Sequence, residues 1–447
     1  MALKTVQKLI KLLKHKDRQF TNLVEEMHPS DLAELVEKLN DEQKKELFEI
    51  LDDDEAALII PEMEDVDQVS LFQVLDKERA SSILKEMSSD EAVDLLSDLP
   101  SAEAQELLTR MEDPEEIEGL LKFPEDTAGG LMTTEYLSLP ENMPVEEAIQ
   151  RLREVASEVE IIYYIYVINE ENRLIGVISL RELISADDGT LLKDIMKTNV
   201  ISVDVGMDQE EVARLVARYD LLAVPVIDEK ESLRGIITVD DILDVMEEEA
   251  TEDIYRLAGT SEVRGVELIN ASVLNVSRKR LPWLIVSLMG GFFSGSVIGV
   301  FEETLQAVVI LAIFIPVIMD MGGNVGSQSS TVFVRGLATG EIEADEVWRY
   351  FFREVRIGLT MGIVCGLIIG VSAFFWQQLP YLGVIVAVTM FSTVTLAAII
   401  GTLIPLLFWK MGADPAISAG PFVTTIKDVT GLLIYFYIAT IFIDQLL

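Results

Sequence analysis

Residues 281–447 of this chain hold five stretches that are apolar and long enough to cross a bilayer, at 281–300, 307–334, 357–375, 381–409 and 422–443. About 20 apolar residues span the hydrocarbon of a membrane. Lipid offers no partner to backbone N–H and C=O groups, so each stretch is expected as a helix. The last of them carries an acid: in PFVTTIKDVTGLLIYFYIATIFI, from Pro421 onward, Asp428 stands just before the most apolar run. A carboxylate inside a spanning helix is costly and normally faces other helices or water, where it serves an ion or proton path. The expectation is a membrane protein that moves a cation.

The formal charge of −41 is unevenly spread. Residues 281–447 contain 11 acids and 6 bases, net −5, which leaves net −36 on the first 280 residues. Such acidity belongs to the surface of a soluble part. It repels anions, so nucleic acid is not expected as a partner, and it attracts divalent cations by field alone. Cys365 is the single cysteine and lies in an apolar run, which rules out an intramolecular disulfide. His15 and His28 are too few for a histidine-based zinc site. At the N-terminus, MALKTVQKLIKLLKHK interleaves lysines with leucines and reads as an amphipathic helix rather than a signal peptide.

Basic residues near span ends mark the cytoplasmic side. Arg278, Lys279 and Arg280 precede the first span, Arg335, Arg349, Arg353 and Arg356 separate the second from the third, and Lys410 follows the fourth. The loops around Glu302–Glu303 and Gln377–Pro380 contain neither Lys nor Arg. A multi-pass protein of the cell membrane is expected, with its N-terminus in the cytoplasm and its C-terminus outside. Glu302 and Glu303 read as solvated loop charges before they read as a pore mouth. The second span is expected to be a broken helix. Its centre, PVIMDMGGNVGSQSS, puts Asp320 and the candidate pore lining Gly322, Gly323, Asn324, Gly326 and Gln328 at membrane depth. Irregular polar backbone is tolerated there only inside protein or along a wet cavity, and the glycines let a helix or a hydrated ion come close. Pro316 and Pro405 fall inside spans, and Gly420 and Pro421 open the fifth.

Residues 1–128 carry short amphipathic segments such as SDLAELVEKL, SDEAVDLLSDL and SAEAQELLTRM, each opened by a capping residue and apolar at helical spacing. Units this short cannot bury their apolar faces alone, so an acidic, all-α domain of stacked helix pairs in a superhelix is expected. Residues 129–250 contain a duplication, 131–190 and 195–250. LMTTEYLSLPENMPVEEAIQRLRE matches IMKTNVISVDVGMDQEEVARLVAR, and IYVINEENRLIGVISLRELI matches VPVIDEKESLRGIITVDDIL. Each copy reads as an α/β unit, a small sheet backed by helices. The pair resembles tandem cystathionine-β-synthase (CBS) domains, modules that dock on each other and often bind adenine nucleotides. Thr238 and Asp241 match that superfamily's Thr-x-x-Asp ribose-contact pattern, where the first copy has Ser179 and Glu182. ATP is the nucleotide this resemblance implies. Residues 251–280 read as a connecting helix, broken at Gly259, that joins the duplicated domain to the five-span domain at 281–447.

An acidic helical domain, a CBS pair, a connecting helix and five spans, in that order, resemble the MgtE family of magnesium channels along essentially the whole chain. GGNVGSQS at 322–329 is similar to that family's second-span signature, and DPAISAGPFVTTIKDVTG at 414–431 to its fourth-to-fifth-span signature. The resemblance implies a homodimer in which Asp428 is the principal pore ligand for Mg2+, with Asp414 near the inner mouth. Mg2+ keeps several of its waters when bound, so a pore need offer only a few oxygens; Thr424, one turn before Asp428 on the same helix face, would add a second layer. An acid merely paired with Lys427 or Arg335 is the plainer alternative. In the soluble part, Asp90 and Asp94 stand four apart, Glu210 and Asp220 bracket a helix, and Asp241, Asp244, Glu249, Glu252 and Asp253 crowd the link. The resemblance makes these the sites where cytosolic Mg2+ would hold the domains together and shut the pore. Each acid by itself also reads as a solvated helix face.

Rival readings keep the acid and change the ion to Mn2+, Co2+, sodium or a proton, or make the chain a CBS nucleotide-sensing signalling protein whose membrane part only anchors it. An anchor needs neither Asp428 nor the glycine-rich span. No nucleophile–base pair, zinc ligand set or phosphate-cradling loop points to an enzyme.

Overall fold

The computed structural model of the chain describes residues 27–111, 113–156, 159–258, 260, 272–342 and 345–446. The N-terminal amphipathic segment and the break expected at Gly259 lie outside them. Two compact units result, Met1–Glu247 and Glu248–Leu447.

The first unit opens with short helices α1 (Pro29–Val36), α2 (Asp41–Phe48), α3 (Asp53–Ile59), α4 (Asp65–Val74), α5 (Lys77–Glu86), α6 (Ser89–Asp98), α7 (Ser101–Arg110) and α8 (Glu115–Leu120). Capping sets where they start. Asn40 and Gln43 form a reciprocal capping box, as do Asp52 and Glu55, and acids fill most first turns, where the helix dipole favours negative charge. Each helix packs on the one two places later, so α6 touches both α4 and α8. That is the stacking a solenoid needs to bury faces too narrow to be stable singly.

Two three-stranded sheets follow. β1 (Ser138–Pro140) runs parallel to β2 (Tyr164–Ile168), which pairs antiparallel with β3 (Leu174–Ser179); β4 (Val203–Asp204), β5 (Ala223–Ile227) and β6 (Leu233–Thr238) repeat the pattern. The duplication extends to a register irregularity at Val167/Ile168 and at Val226/Ile227. Helices α9 (Val145–Val155) and α10 (Leu180–Ser185) back the first sheet, and α11 (Gln209–Tyr219) and α12 (Val239–Leu257) the second. The copies also exchange edges: Thr133, near the start of the first, bridges Ile236 of the second, and Val177 bridges Lys197. One apolar core runs from the α1–α8 stack into the second copy, through Val212, Val224 and Ile237, whereas the first copy has a core of its own around Ile165 and Val167.

Among the described residues of the second unit five helices have the length and apolarity to cross a membrane, within Val273–Val300, Val309–Ala338, Val347–Gln377, Pro380–Lys410 and Phe422–Ile441. They are labelled α13 (Val273–Val300), α14 (Ile315–Ala338), α15 (Val347–Gln377), α16 (Pro380–Lys410) and α17 (Pro421–Ile441). One expectation is corrected: α14 runs unbroken through GGNVGSQ, and the irregular part is a 3-10 turn at Val309–Phe314 before it. Pro316 accordingly sits in the first turn of α14, where its missing N–H costs nothing, while Pro405 lies within α16. The glycines serve contact rather than bending. A Cβ on Gly401 would collide with the Gly326 carbonyl, so α14 and α16 meet backbone to backbone. Close approach of this kind is what small residues provide between helices in lipid. The same device joins α15 to α16 through Gly358, Gly362, Gly366 and Gly370, spaced by four along one face.

Candidate ion path and acidic cluster

Residues 424–428 of α17 point to three surroundings. Thr425 packs into the notch left by Gly290 of α13. Lys427 is 6% exposed and lies against α14, with Cδ 3.5 Å from where a Gly326 Cβ would be and Nζ 2.7 Å from that of Gly323. Thr424 and Asp428, one turn apart, share a half-buried face. Asp428 is paired: Lys427 Nζ lies 3.1 Å from its Oδ1. The plainer alternative for this acid, a local ion pair, is therefore partly realised, with Lys427 and not Arg335 as the partner.

The candidate pore lining separates onto two faces of α14. Gly322, Gly323 and Gly326 face α16 and α17, meeting Thr393, Lys427 and Ala397. Asn324 and Gln328 instead line an open cavity of about 410 Å3 with Met321, Thr360 and Cys365, and Asn324 Nδ2 donates to Asp320 Oδ2 at 3.2 Å. Residues 322–328 therefore do not converge on one path within this chain. Glu354 of α15 is a buried acid that sequence reasoning missed; its carboxylate accepts from Ser329 Oγ at 3.0 Å and from the Tyr350 hydroxyl at 3.3 Å.

In the first unit the fold gathers carboxylates from distant parts of the chain. Asp90, at the start of α6, is 5% exposed and its Oδ1 has no hydrogen-bond partner. Burial raises its pKa. Burial and then the Asp90 charge push Asp241 up to about 7, Glu135 to about 7 and Glu160 to about 8, and Glu91 is raised to about 7 in the same way, with burial the larger cause. Each of these groups disfavours its own charge because the others are charged and water is scarce. Ser89 ties α6 to the duplicated part through Thr133 and Thr134, at 3.3 and 3.1 Å. Asp94, four residues on, is exposed. Glu135 and Glu160 carried no signal in the sequence, since no spacing relates them to Asp90, and Glu91, next to Asp90, was passed over.

The remaining acids have other surroundings. Asp241 Oδ2 accepts from the Thr238 backbone N–H and hydroxyl, 3.1 and 2.5 Å, so the ribose-contact pattern also caps α12, as Ser179 and Glu182 cap α10. Burial, then Glu247, Asp240 and Glu62, raises Asp244. Glu210 pairs with Arg214, and Asp220 ends α11 in a left-handed conformation. Along α12, Asp241 and Asp244 belong to the first unit, Glu249, Glu252 and Asp253 to the second. There Arg256 is bonded to both Glu252 and Asp414, and Leu257 packs with Val334 and Ala416, so the end of α12 is docked beneath the spans of its own unit. Among the described residues no three His, Cys, Asp or Glu side chains stand close enough to hold a metal ion.

Comparison with known proteins covers both units. A family model described as the MgtE divalent cation transporter matches residues 315–438, one for the MgtE intracellular N domain matches 27–126, and the CBS domain matches twice, at 128–189 and 192–248. The "Magnesium transporter MgtE" of Bacillus subtilis is 43% identical over 322 residues, 72% of this chain and 70% of that protein. The proteins of the same name from Enterococcus faecalis and Thermus thermophilus are 45% identical over 317 residues and 42% over 319. Among solved structures, the soluble part of a magnesium transporter superposes with a TM-score of 0.53 at 38% identity, covering 56% of this chain and 100% of that one. The cytosolic domain of the Mg2+ channel MgtE in complex with ATP does so with a TM-score of 0.51 at 40% identity, covering 54% and 99%.

Proposed function

The chain belongs to the MgtE family of magnesium transporters, and on that premise we propose that Mg2+ crosses the membrane past Asp428. The observation that carries this reading is the half-buried face that Thr424 and Asp428 share on α17, a carboxylate and a hydroxyl within a candidate span, beside the buried Val423 and Lys427. A carboxylate there can accept hydrogen bonds from the waters that Mg2+ retains. In a two-fold homodimer the face would meet its copy and double the charge. The broad apolar exposure of α13, at Leu284, Leu288 and Phe292, leaves surface for lipid or that second copy. The cluster of basic residues at one set of span ends supports a cytoplasmic N-terminus and an external C-terminus.

Cytosolic Mg2+ regulates the path in this reading. Asp90 and Asp241, joined by Glu91, Glu135 and Glu160, are crowded carboxylates that a divalent ion would stabilise only while α6 stays docked. Mg2+ at this cluster, at Asp94, Glu210, Asp220 and Asp244, and along Glu249, Glu252, Asp253 and Asp414 favours the compact, closed arrangement, and its loss opens the pore. ATP at the CBS pair, near Thr238 and Asp241, is a second regulatory ligand, supported by the pattern these residues share with that superfamily. Two experiments test the scheme. Mg2+ flux into liposomes should be abolished by Asp428→Asn, and equal flux in both proteins would remove the pore assignment. Limited proteolysis of the soluble part should slow between micromolar and tens of millimolar Mg2+; an unchanged cleavage pattern would remove the regulatory one.

A further inference from the structure

We propose that Lys427 is a built-in counter-cation of the ion path: its ammonium occupies Asp428 when no Mg2+ is present, and a divalent ion displaces it where a monovalent ion does not. The proposal rests on Asp428 being the ion's ligand. Neighbouring residues on a helix point about 100° apart, so an adjacent Lys and Asp do not pair by default. Here the lysine arm is laid along α14 in the groove that Gly326 and Gly323 leave open, Cδ 3.5 Å and Nζ 2.7 Å from their missing Cβ positions, and its tip arrives 3.1 Å from Asp428 Oδ1. The side chain is 6% exposed, so the ammonium is held at that carboxylate and not lent to water.

A tethered cation at a pore carboxylate discriminates by charge. Na+ or K+ brings the same single charge as the ammonium and must compete with a group whose attachment keeps its local concentration high. Mg2+ brings twice the charge, hence twice the Coulomb attraction at equal distance, and its retained waters can reach the oxygen. The site would thus be neutral and closed to monovalent ions at rest, and would open to a divalent one without any change in the backbone.

The test is ion flux in liposomes with Lys427→Met, which keeps an unbranched arm for the glycine groove and removes the charge. Half-saturation by Mg2+ should fall about tenfold, the change that corresponds to ~1.4 kcal/mol, and a Na+ or K+ flux that Mg2+ blocks should appear. Lys427→Arg should keep monovalent ions out, which a packing role alone would not require. Gly323→Ala, whose Cβ would crowd Nζ, should push the ammonium away and admit monovalent ions with the lysine still present. Wild-type half-saturation and no monovalent flux in Lys427→Met would overturn the proposal. If that variant fails to accumulate in the membrane, the wild type carries the test: an amine-acylating reagent should modify Lys427 faster in Mg2+ than in EDTA, and equal or slower modification would overturn it. Loss of Mg2+ flux in Asp428→Asn alongside an unaltered Lys427→Met rejects the counter-cation alone, whereas wild-type flux in Asp428→Asn rejects both.

Discussion

Asp90→Asn isolates the electrostatics of the acidic cluster, because it removes one buried ionisable group and almost no volume. Asp241 is raised from 3.8 to about 7, with burial the largest cause and Asp90 the next. Roughly three pKa units at ~1.4 kcal/mol each put the penalty on charged Asp241 at about 4 kcal/mol. Asp90 is the second cause at Asp241 and again at Glu135 and Glu160, so the variant relieves part of this penalty at three acids, on the order of 1–2 kcal/mol in all. Hydrogen exchange of the full-length protein in EDTA at pH 8 should therefore slow in α6 by roughly tenfold or more, since ~1.4 kcal/mol is a factor of ten. Added Mg2+ should protect α6 in the wild type and do much less in the variant. The pH dependence has a definite sign. These acids have higher pKa values folded than unfolded, so the folded chain holds protons that the unfolded chain has released between about pH 4.5 and 8, and the stability they contribute falls as pH rises through that window. Wild-type α6 should be better protected at pH 6 than at pH 8 without Mg2+, and Asp90→Asn should flatten the difference. Equal exchange of the two proteins in EDTA, or an undiminished effect of Mg2+ on the variant, would refute the reasoning.

Two further outcomes are expected. Arg256→Gln leaves Glu252 and Asp414 without the guanidinium they share, so exchange around Leu257 should quicken about tenfold in EDTA, a loss of ~1.4 kcal/mol, and recover in Mg2+ if that ion can take the vacated place; the same gap in both conditions would show that it cannot. Gly366→Val should lower the thermal unfolding temperature in detergent, because a Cβ at Gly366 already stands 2.7 Å from the Ala387 carbonyl oxygen and separating α15 from α16 costs ~1–3 kcal/mol; an unchanged temperature would mean that the helices can part freely.

How much was legible beforehand varied with the range of the interaction involved. The short helices of the first unit could be read from capping residues and spacing, and the two sheets from a duplication that persists even to the irregularities at Val167 and Val226. The glycines of GGNVGSQ were visible but misjudged: read as a break in the second span, they are contact points in a straight helix, and what decides between the two is whether another backbone, here Gly401, comes close enough to use them. The ladder Gly358, Gly362, Gly366 and Gly370 had a readable spacing that went unused.

The chain alone determined that residues 281–447 must enter lipid, that Asp428 lies within the last span, and that the acidity belongs to the soluble part, because hydrophobic length and charge are local properties that survive any arrangement. Tertiary structure decided which charges meet. Asp90 joins Glu135, Glu160 and Asp241 from well separated parts of the chain, Arg256 reaches Asp414, and Lys427 bends along α14 to its own neighbour Asp428. Electrostatic energy depends on separation in space and on the water that packing removes, and neither quantity is written in the order of residues.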